Sequence, residues 1–421
     1  MRPIQFIHCA DLHIDSPFKG LSEVHPDLKE IICQSTYLSF NRIVERAIKE
    51  SVDCVLISGD IYNSADKSLH AQIKFRNELK RLSDARIPSF IVYGNHDPLD
   101  SWSASLIRPD KATIFGGDKV ECFPLVREGR IIANIFGISF PIRDVYENLA
   151  LRFEYHKDNV PAIGLLHSNV GKNTGHKPYA PASIEDLSST AMDYWALGHV
   201  HKHVILKEKD PAIVYPGNPQ AINSTESGAK GCCLVTLYQG GECDIEFIPT
   251  DIFRYQSESL DISGLYSLDA LINSIKERCE NTLQEMDGRH AIIRLSLEGR
   301  TDLHQELQRG GNISDLLEQV RECLDGREPW IWLEKIILKT AGTYDIGTLR
   351  DGENFLSDLI CLYDELAEAG SKHWDDILKA QQPLFSEWQG GRYLEELSPG
   401  ELLKLLEEAR NWTLDSIIKE D

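Results

Sequence analysis

The chain has no apolar run approaching eighteen residues, so no membrane-spanning helix is expected. It also has no CxxC pair. Its ten cysteines are scattered, apart from the adjacent Cys232 and Cys233. That spacing argues against a structural zinc site and for reduced thiols in a cytoplasmic protein. Low-complexity tracts are missing, as is any Lys/Arg-rich run of the kind that grips nucleic acid through its phosphates. A cleavable signal peptide is not expected, because metal-capable residues begin at His8 and Asp11 and the first apolar run reads as a strand.

What the chain does have is acid. The net charge is −22 over 421 residues, and it is unevenly spread. Residues 1–250 carry 26 Lys and Arg against 31 Asp and Glu, a net of −5, which leaves −17 for residues 251–421. Acidity opposes nucleic-acid binding. Most of the surplus is C-terminal, however, and carboxylates that hold cations are neutralised by them. The charge therefore weakens a nucleic-acid reading without excluding it.

The length predicts two or three domains. Strand-like residues 4–9, helical periodicity over 28–50, an apolar run at 53–58, a helix near 67–83 and a strand at 89–93 form a βαβαβ pattern. Such a pattern implies right-handed crossovers and a largely parallel sheet. Residues 119–126 and 131–140 alternate and read as a hairpin. A helix near 143–156 and a strand at 161–166 follow, and the loop 171–183 is placed at the rim of a cleft. A strand at 193–197 and a hairpin over 232–238 and 243–248 complete a first domain, 1–250. Residues 251–341 read as a smaller β-α-β-α-β cap, with strands at 255–262, 290–297 and 331–339 and helices at 267–283 and 302–324. Residues 342–421 read as helical, with Ser398 and Glu401 forming a capping box.

Five apolar runs in the first domain end in polar, metal-capable residues. Phe6-Ile7-His8 precedes Asp11-Leu12-His13. Val55-Leu56-Ile57 precedes Gly59-Asp60, and Ile91-Val92-Tyr93 precedes Gly94-Asn95-His96-Asp97. Leu165-Leu166 precedes His167, and Trp195-Ala196-Leu197 precedes Gly198-His199-Val200-His201. In α/β sheets, sites gather at the carboxyl ends of strands. Any one of these motifs is commonplace; five in this order, each after a strand, point to one site. Mixed carboxylate, imidazole and amide-oxygen donors suit Mn²⁺, Fe²⁺ or Zn²⁺. Two such ions about 3.5–4 Å apart can clamp the attacking and departing oxygens of a phosphoryl displacement.

These motifs resemble those of the calcineurin-like metallophosphoesterase superfamily, whose pattern is D-x-H, G-D, G-N-H-D/E, H and G-H-x-H. Within it the chain resembles the SbcD-type DNA nucleases, and their YhaO-like branch in the stretches Ala10–Phe18 and Leu166–Gly171. The resemblance implies an α/β fold of mixed β-sheets flanked by helices, with the smaller α/β cap and C-terminal helices appended. It further implies two divalent metal ions, Mn²⁺ for preference. Asp11, His13, Asp60 and His201 would hold one, and Asp60, Asn95, His167 and His199 the other. His96 would act on the leaving oxygen, and Asp97 would orient its imidazole. The implied activity is hydrolysis of DNA phosphodiesters, 3′-to-5′ and with endonuclease capability, in DNA repair. The implied partners are DNA, a coiled-coil ATPase of the structural-maintenance type and a second copy of the chain.

Two other functions compete. A phosphatase or cyclic-nucleotide phosphodiesterase would use the same metals, but protein phosphatases of the superfamily carry an arginine soon after Gly-Asp. Here Gly59-Asp60-Ile61-Tyr62-Asn63-Ser64-Ala65-Asp66 has none. A non-catalytic assembly scaffold would need no complete ligand set, whereas every ligand is present. The remaining histidines lack motif support: His8 reads as packed within its strand and His203 as solvated.

Overall fold

In a computed structural model of the chain, the residues described are 2–18, 26–63, 67–155, 160–171, 179–343, 345–368, 376–377, 379–380, 382–383 and 397–418. The chain begins β1 (Ile4–Cys9), α1 (Pro26–Glu50), β2 (Cys54–Ser58), α2 (Leu69–Asp84), β3 (Ser89–Val92), β4 (Ala112–Ile114). A hairpin of β5 (Glu121–Arg127) and β6 (Arg130–Ile138) leads to β7 (Ala162–His167), α3 (Ile184–Ser188) and β8 (Tyr194–Gly198). Then come β9 (Val204–Lys207), β10 (Ala212–Tyr215) and a second hairpin, β11 (Gly231–Leu237) with β12 (Cys243–Pro249).

These strands make two six-stranded mixed sheets, ordered β12-β11-β1-β2-β3-β4 and β5-β6-β7-β8-β10-β9. β1 to β4 run parallel, and the β11–β12 hairpin joins β1 antiparallel. In the second sheet β6, β7, β8 and β10 are parallel, with antiparallel strands at both edges. Alternation along each strand sets the layers. Phe6, Cys54, Leu56 and Phe90 join Ile163, Leu165, Tyr194 and Ala196 in a core between the sheets. Their neighbours Ile7, Val55, Ile57 and Ile91 pack outward with Phe40, Val44, Phe75 and Leu79 of α1 and α2. On the other side Leu166, Trp195, Leu197 and Ile213 pack with Phe153 and Leu187. Buried on both faces, β2, β7 and β8 are apolar along almost their whole length, and their metal-capable residues appear where they end; β1 differs in carrying the buried His8 within it. Full burial of each large apolar side chain is worth roughly 1.5–3 kcal/mol.

The helix expected over 143–156 is a single 3₁₀ turn, Leu149–Arg152, started by Asn148, whose side chain accepts from Ala150 N–H. Leu149, Ala150 and Phe153 still reach the core, so the burial that resembled a helical period is met without a helix. Of the rim loop at 171–183, residues 172–178 lie outside the described residues.

Downstream lie β13 (Phe253–Asp261), α4 (Leu268–Gln284), β14 (His290–Arg300), α5 (His304–Gln308), α6 (Asn312–Leu324) and β15 (Ile331–Ala341). Their strands form a third sheet, β13-β14-β15. The helix expected over 302–324 is broken in two at Gly310-Gly311, where Gly311 adopts φ +95°, a left-handed conformation that ends helices. After β15 come α7 (Ile346–Arg350), α8 (Phe355–Ala367) and α9 (Pro399–Ile417). The expected capping box is present: Ser398 Oγ accepts from Glu401 N–H, while the Glu401 carboxylate accepts from Ser398 N–H. Much of the segment between α8 and α9 lies outside the described residues.

By contact density the chain divides into two compact units. One holds residues 1–257, 281–293 and 325–334; the other holds 258–280, 294–324 and 335–421. No disulfide joins any of the ten cysteines. Among the described residues no helix is long and apolar enough to cross a membrane.

Candidate metal centre

Every sequence-predicted ligand lies in the first unit, at or just beyond the carboxyl end of a parallel strand. The segment leaving β1 is laced to the one leaving β2: Asp11 N–H donates to Gly59 O (3.0 Å), His13 N–H to Asp60 O (3.1 Å) and Ile14 N–H to Ile61 O (2.8 Å). The second sheet is tied to the same place. His167 Nδ1 donates to Ser58 O (2.9 Å), Ser58 Oγ donates to Ala196 O (2.9 Å), and both Asp11 oxygens accept from His199 N–H (3.0 Å).

The backbone here is strained. Asp11, His13, Asp60 and His199 have φ of +52°, +43°, +50° and +105°. Left-handed backbone costs a non-glycine residue of order 1–3 kcal/mol and persists where surrounding bonds over-determine it. Those bonds are the ones just named.

Ligand atoms of Asp11, His13 and His201 lie within 4.8 Å of one another, and so do those of Asp60, His167 and His199. Asn95 belongs with the second trio, its Oδ1 being 3.1 Å from His167 Nε2. Asp60 Oδ2 is 3.4 Å from the same nitrogen. Gly94 leaves room for this cluster: a Cβ there would stand 2.3 Å from Asp60 Oδ1.

The electrostatics are those of buried anions in need of positive charge. Burial pushes the Asp11 carboxyl up to about 6 despite nearby imidazoles. Burial also acts on Asp60, but the charges of His167, His96 and His13 outweigh it and hold its carboxyl well below the usual range. Burial would keep His167 neutral; the charges of Asp60 and Asp11 overcome it and push the imidazole up to about 9. His13 Nε2 and His201 Nε2 face each other at 3.0 Å, and His13 Nδ1 is buried without a hydrogen-bond partner. Converging imidazole nitrogens beside buried carboxylates, with one nitrogen orphaned, fit divalent cations better than they fit a hydrogen-bond network. The mixed nitrogen and oxygen donors match first-row divalent metals.

His96 is half-buried beside the trios. Its N–H donates to Asp60 Oδ1 (2.9 Å), and its Nδ1 donates to Asn63 O (2.8 Å). The expectation that Asp97 orients the His96 imidazole is corrected here. The Asp97 carboxylate is fully buried and accepts from the backbone N–H groups of Gly94 (2.8 Å), Ile61 (2.7 Å) and Tyr62 (3.3 Å). It fastens two ligand-bearing loops together, and the Asn63 carbonyl holds the ring instead. His8 is packed as expected, against Tyr194 Oη and Leu197 O. His203, expected to be solvated, stacks on Phe247 and donates to Tyr215 O.

Sequence reasoning missed Glu226 and Asn218. Glu226 Oε1 accepts from His201 Nδ1 (2.9 Å), and its Oε2 accepts from Asn218 Nδ2 (2.7 Å) and Ile222 N–H (3.0 Å). The only sequence signal was the turn-rich run Tyr215–Gln220, which marks a loop and not its target.

Comparison with known proteins agrees with this geometry. Residues 4–203 match the family described as calcineurin-like phosphoesterase, and residues 255–341 match the family described as metallophosphoesterase YhaO, middle domain. The chain is 33% identical over 329 residues to the metallophosphoesterase YhaO of Bacillus subtilis (strain 168), covering 78% of this chain and 80% of that protein. It is 27% identical over 338 residues to the DNA double-strand break repair protein Mre11 of Sulfurisphaera tokodaii, covering 75% and 79%. With the protein of that name from Methanocaldococcus jannaschii it shares 26% over 294 residues, covering 66% and 74%. The chain belongs to the calcineurin-like metallophosphoesterases, in their YhaO family.

Proposed function

We propose that the protein is a DNA nuclease that hydrolyses phosphodiester bonds with two divalent cations, Mn²⁺ for preference. The observation that carries the reading is the meeting of two ligand trios from four strand ends, with Asn95 beside His167 and His96 tied to Asp60 from the fifth. Asp11, His13, Asp60 and His201 would hold one cation, and Asp60, Asn95, His167 and His199 the other. When bound, the cations supply Lewis acidity at the phosphoryl group and lower the pKa of water. The chain's own residues do the rest. The Asn63 carbonyl keeps a proton on His96 Nδ1, so Nε2 is the nitrogen left to face the substrate. In the doubly protonated ring it would give its Nε2 proton to the leaving oxygen and remain as the neutral Nδ1–H imidazole. Asp97 acts by holding the Gly94 and Ile61 backbones in place.

A diester is favoured over a monoester because no arginine follows Gly59-Asp60 to grip a dianion. DNA is favoured because relatives aligned over three-quarters of the chain include a DNA double-strand break repair protein. On this reading residues 1–250 carry the chemistry, 251–341 cap a large substrate, and 342–421 dock a coiled-coil ATPase. Exposed Leu405 and Trp412, seven residues apart and so on one side of α9, supply an apolar face for that partner. Exonucleolytic 3′-to-5′ cleavage, endonuclease capability, a DNA-repair role and dimerisation belong to the same proposal.

The test is a substrate panel. Purified protein with Mn²⁺ is offered linear duplex DNA, single-stranded DNA, bis-p-nitrophenyl phosphate and a phosphopeptide side by side. Hydrolysis of DNA and the model diester is expected; hydrolysis of the phosphopeptide alone would overturn the nuclease reading.

A further inference from the structure

Glu226 is a carboxylate with a short exposed margin and more partners than a loop residue needs. Besides His201, Asn218 and Ile222, its Oε1 accepts from Asn223 Nδ2 (2.7 Å). Asn218, fully buried, in turn donates from its Nδ2 to Gln220 O (2.9 Å). The carbonyl of His201 is held from the same side, by Lys230 Nζ (2.8 Å) and Asn218 N–H (3.3 Å). Both ends of His201, ring and backbone, are thus fastened to the segment 218–230.

His167 and His201, one from each ligand trio, differ in this respect. His167 of one trio donates its Nδ1 to a neutral backbone carbonyl, Ser58 O. His201 of the other donates its Nδ1 to a carboxylate. A carboxylate can only accept, so it fixes the His201 proton on Nδ1 and turns a lone pair on Nε2 toward His13, 3.0 Å away. An anionic partner also makes the imidazole a stronger donor than a carbonyl partner does.

We propose that Glu226 is a positioning residue that sets the cation affinity of the Asp11–His13–His201 position and leaves that of the Asp60–His167–His199 position unaffected. The proposal rests on the two-cation reading above. Removing such a partner typically lowers metal affinity about 10–100-fold. Replacing the charge but keeping an acceptor, as in Glu226→Gln, gives a smaller loss than Glu226→Ala.

Calorimetric titration of the metal-free full chain with Mn²⁺ tests this, with nitrogen NMR of the histidine rings and thermal unfolding of the metal-free protein alongside. Expected are two binding events in the wild type, one of them weakened about 10–100-fold in Glu226→Ala and less in Glu226→Gln. The Nδ1-H form of His201 should also give way to a tautomer mixture in Glu226→Ala. A purely structural role would lower the metal-free melting temperature and leave the ratio of the two constants unchanged. Unchanged constants, or equal weakening of both, would overturn the proposal alone. Fewer than two binding events in the wild type would overturn the two-cation reading with it. Should Glu226→Ala not fold, Glu226→Gln decides, because its amide oxygen can still accept from the ring while the charge is gone.

Discussion

Adding one methyl group at Gly94 should disable the centre without replacing a ligand. A Cβ at this position stands 2.3 Å from Asp60 Oδ1 and 2.8 Å from His167 Nε2, where ordinary contact begins at 3.4 Å. Movement of about 1 Å is therefore demanded of Asp60, and of about 0.6 Å of His167, at the same time. Neither has slack. Asp60 Oδ1 also accepts from His96 N–H at 2.9 Å, and His167 is pinned through Nδ1 to Ser58 O at 2.9 Å. Overpacking of this kind costs about 1–3 kcal/mol of stability. Its catalytic effect is larger, since a shift of about 1 Å can cost about 10²-fold in rate. Disturbing the partners of metal ligands already weakens binding by about 10–100-fold, and moving the ligands themselves should reach the upper figure. Gly94→Ala should accordingly melt a few degrees lower without metal, lose most of its Mn²⁺ affinity in calorimetry and hydrolyse bis-p-nitrophenyl phosphate at least about 10²-fold more slowly. A Gly94→Ala protein that binds two equivalents of Mn²⁺ with wild-type constants would refute the geometry.

Other substitutions separate the roles. His96→Asn should retain both cations and lose about 10²–10⁴-fold in turnover, because the side chain is assigned to proton transfer; parallel loss of metal and rate would count against that role. Asp97→Asn turns an amide N–H₂ toward backbone N–H donors and removes charge-assisted bonds, a loss of about 1.5–3 kcal/mol seen in chemical denaturation. The His96 tautomer should survive that change, and a shifted tautomer at undiminished stability would restore the orienting role denied to Asp97 here. pH should act through His167, whose imidazole lies raised from 6.5 to about 9 in the metal-free protein. Its folded value exceeds its unfolded one, so its contribution to metal-free stability is complete below about 6.5 and is lost as pH rises through about 9. A cation must displace that proton, so Mn²⁺ affinity should climb toward tenfold per unit between those values and then level off. A flat profile in titrations over that range would contradict the assignment.

Much of the fold was legible because its central strands are covered on both faces. Val55–Ile57 and Trp195–Leu197 are apolar at every position, and their ends are marked by the first polar residues that follow. The same contrast made the ligands visible, since a buried sheet tolerates Asp60 or His167 only where its strands stop. Legibility failed where a residue acts through the backbone. Asp97 follows His96 directly, and adjacency favoured a side-chain contact. In the fold its carboxylate instead meets N–H groups contributed by Gly94, Ile61 and Tyr62. Glu226 was invisible for a related reason: it sits in an irregular loop 25 residues after His201, where no period links the two. The missing helix near 143–156 shows the converse, with Leu149, Ala150 and Phe153 buried by one turn and the connections around it.

Five strand ends build one centre for two cations on this reading, and anomalous diffraction from crystals soaked in Mn²⁺ tests it most directly. Two peaks are predicted, one among Asp11, His13 and His201 and the other among Asp60, Asn95, His167 and His199, with Asp60 reaching both. A single peak, or peaks away from these residues, would contradict the account.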